Sequence, residues 1–215
     1  MLAAGGSGVR AAANLPKQLL DVGGRPIIRW SYDAVVAAGI ADITVVAPVL
    51  HLDEVKDLLP EASRVVPGGA TRQASVRAGL DHVAHPVVVV HDAARPFAPP
   101  AVFAEVVRAL DQADAAVPGL QMKETVKLVR QRRVVETLDR ELVWNVQTPQ
   151  AFTTRRLREV HALALADGIE GTDDAQLIEH YGGVVAVVDG SPASFKITDR
   201  HDLERAAAHV REMQR

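Results

Sequence analysis

Four consecutive valines at 87–90 place apolar side chains on both faces of any strand they form. A strand of that kind is buried on both sides, which is the pattern of a parallel sheet sandwiched between helices. Residues 43–47 repeat the pattern. The segments between such runs are amphipathic at helical spacing. Pro26 opens 27–38, in which Ile27, Trp30, Ala34 and Ala38 recur every three to four residues, and Gly39 stands where a terminating glycine belongs. The stretch 51–59 stops before Pro60, and 71–83 follows a Gly68–Gly69 turn; 101–113, 154–166, 173–181 and 200–213 complete the helical set. This alternation predicts an α/β fold with a doubly wound, mostly parallel sheet. Ligands in that architecture bind beyond the carboxyl ends of the strands.

The 215 residues, 48% of them hydrophobic, suit one domain, 1–215, with a single core. Aromatics reach only 4%, so Val-rich strands are expected to pack under Ala-rich helices. The alternation stops between 121 and 146, where short strand-like stretches (125–129, 133–137 and 142–146) surround a charged turn at 130–133. No crossover helix fits there. The segment reads as a β-hairpin arm projecting from the sheet. An isolated hairpin is marginal in water, so the arm is expected to pack on a second copy of the chain, making a homodimer; a solvated surface hairpin is the alternative.

Lys and Arg total 24 against 27 Asp and Glu, a net charge of −3 that argues against a nucleic-acid-coating protein. A polyanionic ligand must instead be met by a few focused cations. Cysteine is absent, which removes disulfides, thiolate zinc sites and cysteine nucleophiles. No apolar run approaches the roughly 20 residues of a membrane span, and no leader pattern opens the chain; a reducing cytoplasm is the expected location.

Several motifs carry chemistry. The opening Ala3-Ala4-Gly5 runs into further glycines at 6 and 8, a loop whose backbone N–H groups can converge on an anion. The Gly-x-Gly-x-x-Ala spacing matches a dinucleotide loop, but Pro16 breaks the chain too early for a Rossmann helix, and no Gly-Lys-Ser/Thr follows. Arg10 and Lys17 are spaced so that both could return to one phosphate chain; a flexible turn with solvated charges is the other reading. Asp92 stands just past the valine strand, where one carboxylate can hold Mg²⁺ completed by water and substrate phosphates, unless it only caps a turn. Its neighbour His91 reads better as a hydrogen-bonded core histidine. His82 and His85 lack a third ligand and are not read as a metal pair. Arg72 and Ser75 lie in the first turn of a helix after Gly68–Gly69, where a base or phosphate could dock. Thr172 reads as a helix cap or a ligand contact. Lys196, flanked by apolar residues in an expected short strand at 195–198, implies an anionic partner.

The ordered set Ala3-Ala4-Gly5, Arg10, Pro16-Lys17-Gln18, Gly68-Gly69, Arg72, Ser75, His91-Asp92-Ala93-Ala94-Arg95-Pro96, Thr125, Asp139-Arg140, Gln147-Thr148-Pro149-Gln150, Thr172-Asp173 and Lys196-Ile197-Thr198 spans almost the whole chain. It resembles the 2-C-methyl-D-erythritol 4-phosphate cytidylyltransferases, members of the sugar nucleotidyltransferase superfamily with a Rossmann-like fold. The resemblance implies that CTP and a polyol phosphate give a CDP-alcohol and pyrophosphate with Mg²⁺, in a homodimer whose arms each complete the partner's site. By the same resemblance, Arg10 and Lys17 stabilise the transition state, while Arg140 and Lys196 position the acceptor phosphate. Ala3, Ala4, Gly5, Gly69, Ser75 and Ala93 frame CTP. Asp92 lies between metal and substrate, Arg95, Thr125 and Thr172 lie on the acceptor side, and Arg72 and Thr198 are further substrate-binding residues.

Three departures stand out. Only Met1 and Leu2 precede the Ala-Ala-Gly loop, so the central strand reads as cut short, as a misassigned start would leave it, and the sheet beside the site is expected to be weakened. Ala70 stands where an acidic residue is common, and Glu124 where Asp is common. These bear on nucleotide affinity more than on reaction type. The rival readings are a ribitol-5-phosphate cytidylyltransferase, against which Ala94 weighs, a non-catalytic nucleotide-binding homologue, and, from the glycine spacing alone, a redox dinucleotide enzyme.

Overall fold

The computed structural model describes residues 1–5 and 15–215. In chain order it contains strand β1 (Leu2–Ala3), a small ribbon of β2 (Asp21–Val22) and β3 (Arg25–Pro26), helix α1 (Ile27–Ala37), β4 (Thr44–Ala47), α2 (Leu52–Leu58), β5 (Arg64–Pro67), α3 (Arg72–Leu80), β6 (Val87–Asp92) and α4 (Pro100–Arg108). There follow β7 (Ala115–Gln121), the hairpin strands β8 (Val126–Arg130) and β9 (Arg133–Leu138), β10 (Trp144–Val146), β11 (Gln150–Thr153), α5 (Thr154–Asp167), α6 (Asp174–His180), β12 (Val185–Asp189) and α7 (Arg200–Met213).

One eight-stranded sheet runs β10-β7-β11-β6-β1-β4-β5, with β12 also paired to β7. β1 lies parallel between β4 and β6, with Leu2 opposite both Val45 and His91. β5 and β12 are parallel additions, whereas β10 and β11 run antiparallel. The sheet is therefore mostly parallel, although the four valines of β6 themselves pair antiparallel with β11, and β6 meets β1 in parallel only at His91 and Asp92. Its two-residue β1 is an interior strand, next to β6.

Side chains of successive strand residues point to opposite faces, and the core divides accordingly. Val46, Val88, Val90, Val117 and Phe152 pack under α3, α5 and α6. Leu2, Val45 and Ala47 pack under α1, α2 and the Phe103 face of α4. A smaller cluster of Val22, Ile27, Phe97, Ile197, Ala206 and Val210 seats α7 against the β2–β3 ribbon. Helix ends follow local chemistry. The Thr71 side chain accepts from Ala74 N to cap α3, Asp199 and Asp202 form a capping box on α7, and Pro100 opens α4. Gly39 and Gly168 take positive φ of 78° and 68° after α1 and α5, a conformation glycine adopts without steric cost.

Three local expectations are corrected. Residues 195–198 form no strand: the segment is held by a single ladder-like bond from Ile197 N to Ala94 O (2.8 Å), and its shape is set by the Phe195 and Ile197 side chains entering the α7 cluster. The third stretch of the supposed arm does not project. Trp144–Val146 folds back onto β7, opposite Gln121, Leu120 and Gly119, leaving only β8 and β9 as a separate two-stranded sheet. The helix expected over 101–113 ends at Arg108 in a 3-10 turn, because the chain must turn there into β7.

Phe152 is fully buried between β6 and β7. Phe152→Ala should cost about 3–5 kcal/mol in urea unfolding. Leu50→Ala, at a side chain 92% exposed, should change stability by less than about 0.5 kcal/mol.

Candidate active site

The carboxyl ends of β1, β4, β5 and β6 converge on one side of the sheet. The loops leaving β1 and β5 touch: a Cβ on Gly68 would lie 3.2 Å from Gly5 Cα, and one on Gly5 would lie 2.5 Å from Ser75 Oγ. Only backbone fits at either place. Ser75 Oγ donates to Thr71 O (2.8 Å) and accepts from Gly69 N (3.1 Å), which fixes the glycine turn to the first turn of α3. The Gln18 amide donates to Ala4 O and so ties the 16–19 segment to the end of β1.

Two cavities open over these ends. The first, of about 160 Å³, is lined by Ala3, Ala4 and Gly5, by Lys17 and Gln18, and by Ser75, Ala93 and Ala94. The second, of about 240 Å³, is polar and lies among Arg95, Gln147, Thr148, Gln150, Thr172 and Asp173. Arg72, Asp92 and Lys196 line both. These three are bonded together: Arg72 Nε meets Asp92 Oδ1 at 3.1 Å, and Lys196 Nζ meets Asp92 Oδ2 at 2.7 Å. Behind them Arg72 Nη1 meets Asp174 Oδ2 at 2.7 Å, and Asp174 Oδ1 meets His161 Nε2 at 2.9 Å. The cluster thus reaches from the sheet end to the junction of α5 and α6.

Electrostatics follow from this arrangement. Burial alone would raise the Asp92 carboxyl, but Arg72 and Lys196 outweigh it and hold it well below the ordinary range. Burial would raise Asp174 too, and Arg72 with His161 brings it down. Burial pulls the Lys17 ammonium below its ordinary value, and repulsion from Lys196 adds to the effect. Lys17 faces the first cavity as a partly desolvated cation with a second cation nearby, an environment that an anion relieves. Burial also lowers Arg95, against the pull of Asp92.

The profile of the 2-C-methyl-D-erythritol 4-phosphate cytidylyltransferases matches residues 1–212. A cytidylyltransferase of that name from Syntrophotalea carbinolica is 40% identical over 98% of this chain and 94% of its own. The chain belongs to the 2-C-methyl-D-erythritol 4-phosphate cytidylyltransferase family. A Thermus thermophilus member is 39% identical over 98% of this chain and 96% of its own. The crystal structure of the enzyme from that organism superposes with a TM-score of 0.80 at 37% identity, covering 98% of this chain and 97% of that one. A 4-diphosphocytidyl-2C-methyl-D-erythritol synthase from Anaerococcus prevotii gives 0.87 at 31% identity, covering 98% and 96%. The family is one of nucleotidyltransferases, and the redox reading is set aside.

For a cytidylyltransferase, the structure gathers most of the sequence-derived candidates. Ala3, Ala4, Gly5, Lys17, Arg72, Ser75, Asp92, Ala93 and Lys196 share the first cavity, with Gly69 behind Ser75. Arg95 and Thr172 join the second. Thr198 lines neither; its hydroxyl and backbone N–H both donate to Asp202 at the start of α7, so it serves that helix end. Thr125 and Arg140 are exposed near the hairpin and line neither cavity, the Arg140 guanidinium donating to Lys123 O (3.1 Å). Arg10 and the glycines at 6 and 8 lie outside the described residues. Asp173, not Thr172, caps α6. His85 faces Asp42 at 3.1 Å, and among the described residues no three metal-ligating side chains gather.

Sequence reasoning gave no role to Gln18, His161 or Asp174, nor to Gln147, Thr148 and Gln150 individually. The one available signal was the second acid of Thr172-Asp173-Asp174, an acidic residue in a helix first turn that needs a cation partner once it is buried. His91 is a core residue. Its Nε2–H donates to Arg95 O (3.0 Å), and its Nδ1 accepts a hydrogen bond from the Thr148 hydroxyl (3.0 Å), whose oxygen in turn accepts from Asp92 N (3.0 Å).

Burial pushes the His91 imidazole down to about 4. The unfolded chain binds that proton near pH 6.5, so between about pH 6.5 and 4 the unfolded state holds a proton the folded state refuses, and stability falls on acidification. Unfolding free energies measured at pH 7 and pH 4 should therefore differ by about 3 kcal/mol more in the unaltered protein than in His91→Gln.

Proposed function

We propose that the two cavities divide the cytidylyl-transfer reaction between them. CTP occupies the first and 2-C-methyl-D-erythritol 4-phosphate the second, so that acceptor phosphate and α-phosphate meet beside Arg72, Asp92 and Lys196. The observation that carries this reading is the sharing of those three residues by both cavities. The acceptor phosphate, a monoester with its second pKa near 6, is already largely dianionic at neutral pH and needs no general base. One of its oxygens forms a bond to the α-phosphorus while the bond from that phosphorus to the bridging oxygen breaks, and pyrophosphate leaves with the electron pair. What remains for the protein is alignment and charge stabilisation.

Lys17 answers the charge that builds on the triphosphate, with Arg10 assigned the same task from its place in the sequence. Lys196 and Arg95 orient the acceptor. Asp92 is the one carboxylate among the residues lining the first cavity. A carboxylate offers about four acceptor positions, and its two cationic neighbours leave some free, so Asp92 fits a Mg²⁺ ion shared with nucleotide phosphates. Bound there, the ion would neutralise phosphate charge. No helix among the described residues is long and apolar enough to cross a membrane. On this reading the enzyme works in the cytoplasm, on a nucleotide pool.

We assign Thr125 and Arg140 to the cavity of a second copy. The β8–β9 hairpin pairs with no other strand among the described residues and exposes Leu128, Val129, Val134 and Val135. Apolar groups on both faces of an unsupported hairpin call for a partner surface. In a homodimer the hairpins would cover these residues and carry Arg140 toward the partner's acceptor phosphate.

Lys17→Ala should lower kcat by about 10²–10³-fold with an unaltered circular dichroism spectrum, and near-normal turnover would remove Lys17 from the mechanism. Val135→Asp on the hairpin should shift the particle from dimer to monomer in light scattering and lower kcat/KM for the acceptor phosphate together with the dimer fraction.

A further inference from the structure

Gln150 opens β11 and is 1% exposed, yet it is one of the residues lining the second cavity. Its Nε2 donates to Asp173 Oδ2 (2.8 Å) and leans toward Gln147 O (3.4 Å). Both of those are acceptors, so only the nitrogen can face them, and the orientation of the amide is decided by chemistry. Asp173 is itself fixed, because its other oxygen caps α6 by accepting from Gln176 N (2.9 Å). The amide nitrogen is therefore engaged by two residues of the same cavity wall, and its Oε1 is left without a donor among the described residues.

The other buried side-chain acceptors on this wall each have at least one partner. Both Asp92 oxygens meet cations, Gln147 Oε1 accepts from Ser191 N (3.0 Å), and Thr148 Oγ1 accepts from Asp92 N. Two buried donors of residues lining the same cavity, Arg72 Nη2 and Arg95 Nε, also lack partners among the described residues. An unpaired acceptor and unpaired donors on residues of one cavity suit a hydroxyl, which gives one hydrogen bond and accepts others; a carbonyl or a phosphate would satisfy only the donors. A buried carbonyl oxygen is costly to leave unpaired, so a ligand lacking that hydroxyl is penalised.

We infer that Gln150 is a specificity-determining residue, whose Oε1 accepts a hydrogen bond from one carbon-borne hydroxyl of the polyol phosphate. This rests on the assignment of the second cavity to the acceptor. It adds that selection among polyols is made by an amide locked through Asp173, apart from the cations that bind the phosphate.

The test crosses the side chain with the ligand. Acceptor kcat/KM is measured for 2-C-methyl-D-erythritol 4-phosphate and its 1-deoxy, 2-deoxy and 3-deoxy analogues, with the unaltered enzyme and with Gln150→Met. The unaltered enzyme should lose about 10- to 100-fold on one analogue beyond the others. Gln150→Met should lose that discrimination for the same hydroxyl alone, with KM for CTP unchanged. If Gln150→Met fails to fold, Gln150→Asn, which keeps the amide one methylene shorter, should still weaken the same preference. A purely structural residue would lower all four values in parallel. Parallel losses, or an unaltered enzyme indifferent to every hydroxyl, overturn the inference while leaving cytidylyl transfer intact; absence of turnover with the authentic acceptor overturns the functional reading as well.

Discussion

The site depends on one carboxylate held by two cations. Asp92 ends the central strand β6, and its oxygens are divided between Arg72, from the first turn of α3, and Lys196, from the segment before α7. These elements are far apart in sequence, and the ion cluster joins them at the boundary of two cavities. Buried ion pairs of this kind seldom add net stability, since desolvation offsets much of the attraction. What they provide is a fixed arrangement of charge. Asp174 and His161 extend that arrangement backwards, so the Arg72 guanidinium is gripped on both sides before any ligand arrives.

The fold supplies this arrangement with few special parts. Parallel strands end on one side, their glycine turns bring backbone close, and the helices that follow present their first turns to the same space. A protein with a net charge of −3 can then offer polyanions a local surplus of positive charge. Lys17 illustrates the effect: burial and the neighbouring Lys196 destabilise its ammonium, and a triphosphate relieves both.

Much of the sheet was legible in the sequence because the valine run leaves a strand no solvent face. The start of α1 was legible because Pro26 marked it, whereas the capping box of Asp199 and Asp202 on α7 emerged only from the structure. Lys196 was legible as a buried-facing cation in need of an anion. The strand expected around it was not formed, because a short apolar stretch does not reveal whether its partner is a strand edge or, as here, the side chains of α7. The fold-back of Trp144–Val146 onto β7 was hidden for a related reason: a three-residue strand carries too little periodicity to name its neighbour. Asp174 and His161 could not have been paired by spacing, since what joins them is the packing of α6 on α5. The amide of Gln150 becomes informative only once its nitrogen is seen to be engaged.

The touching backbones of Gly5 and Gly68 bear on how such a pocket could change over evolutionary time. Two loops from different strands meet with no room for a methyl group between them, and Ser75 closes the third side. A side chain at Gly5 or Gly68 would prise the two loops apart, so the main chain at that contact is fixed in outline. The opposite wall, built from the turn around Gln147–Gln150 and the loop before α6, has side chains where the first has bare main chain. Side chains on that wall can be exchanged without parting the two main chains, so that half of the pocket has more room for adaptation than the glycine contact.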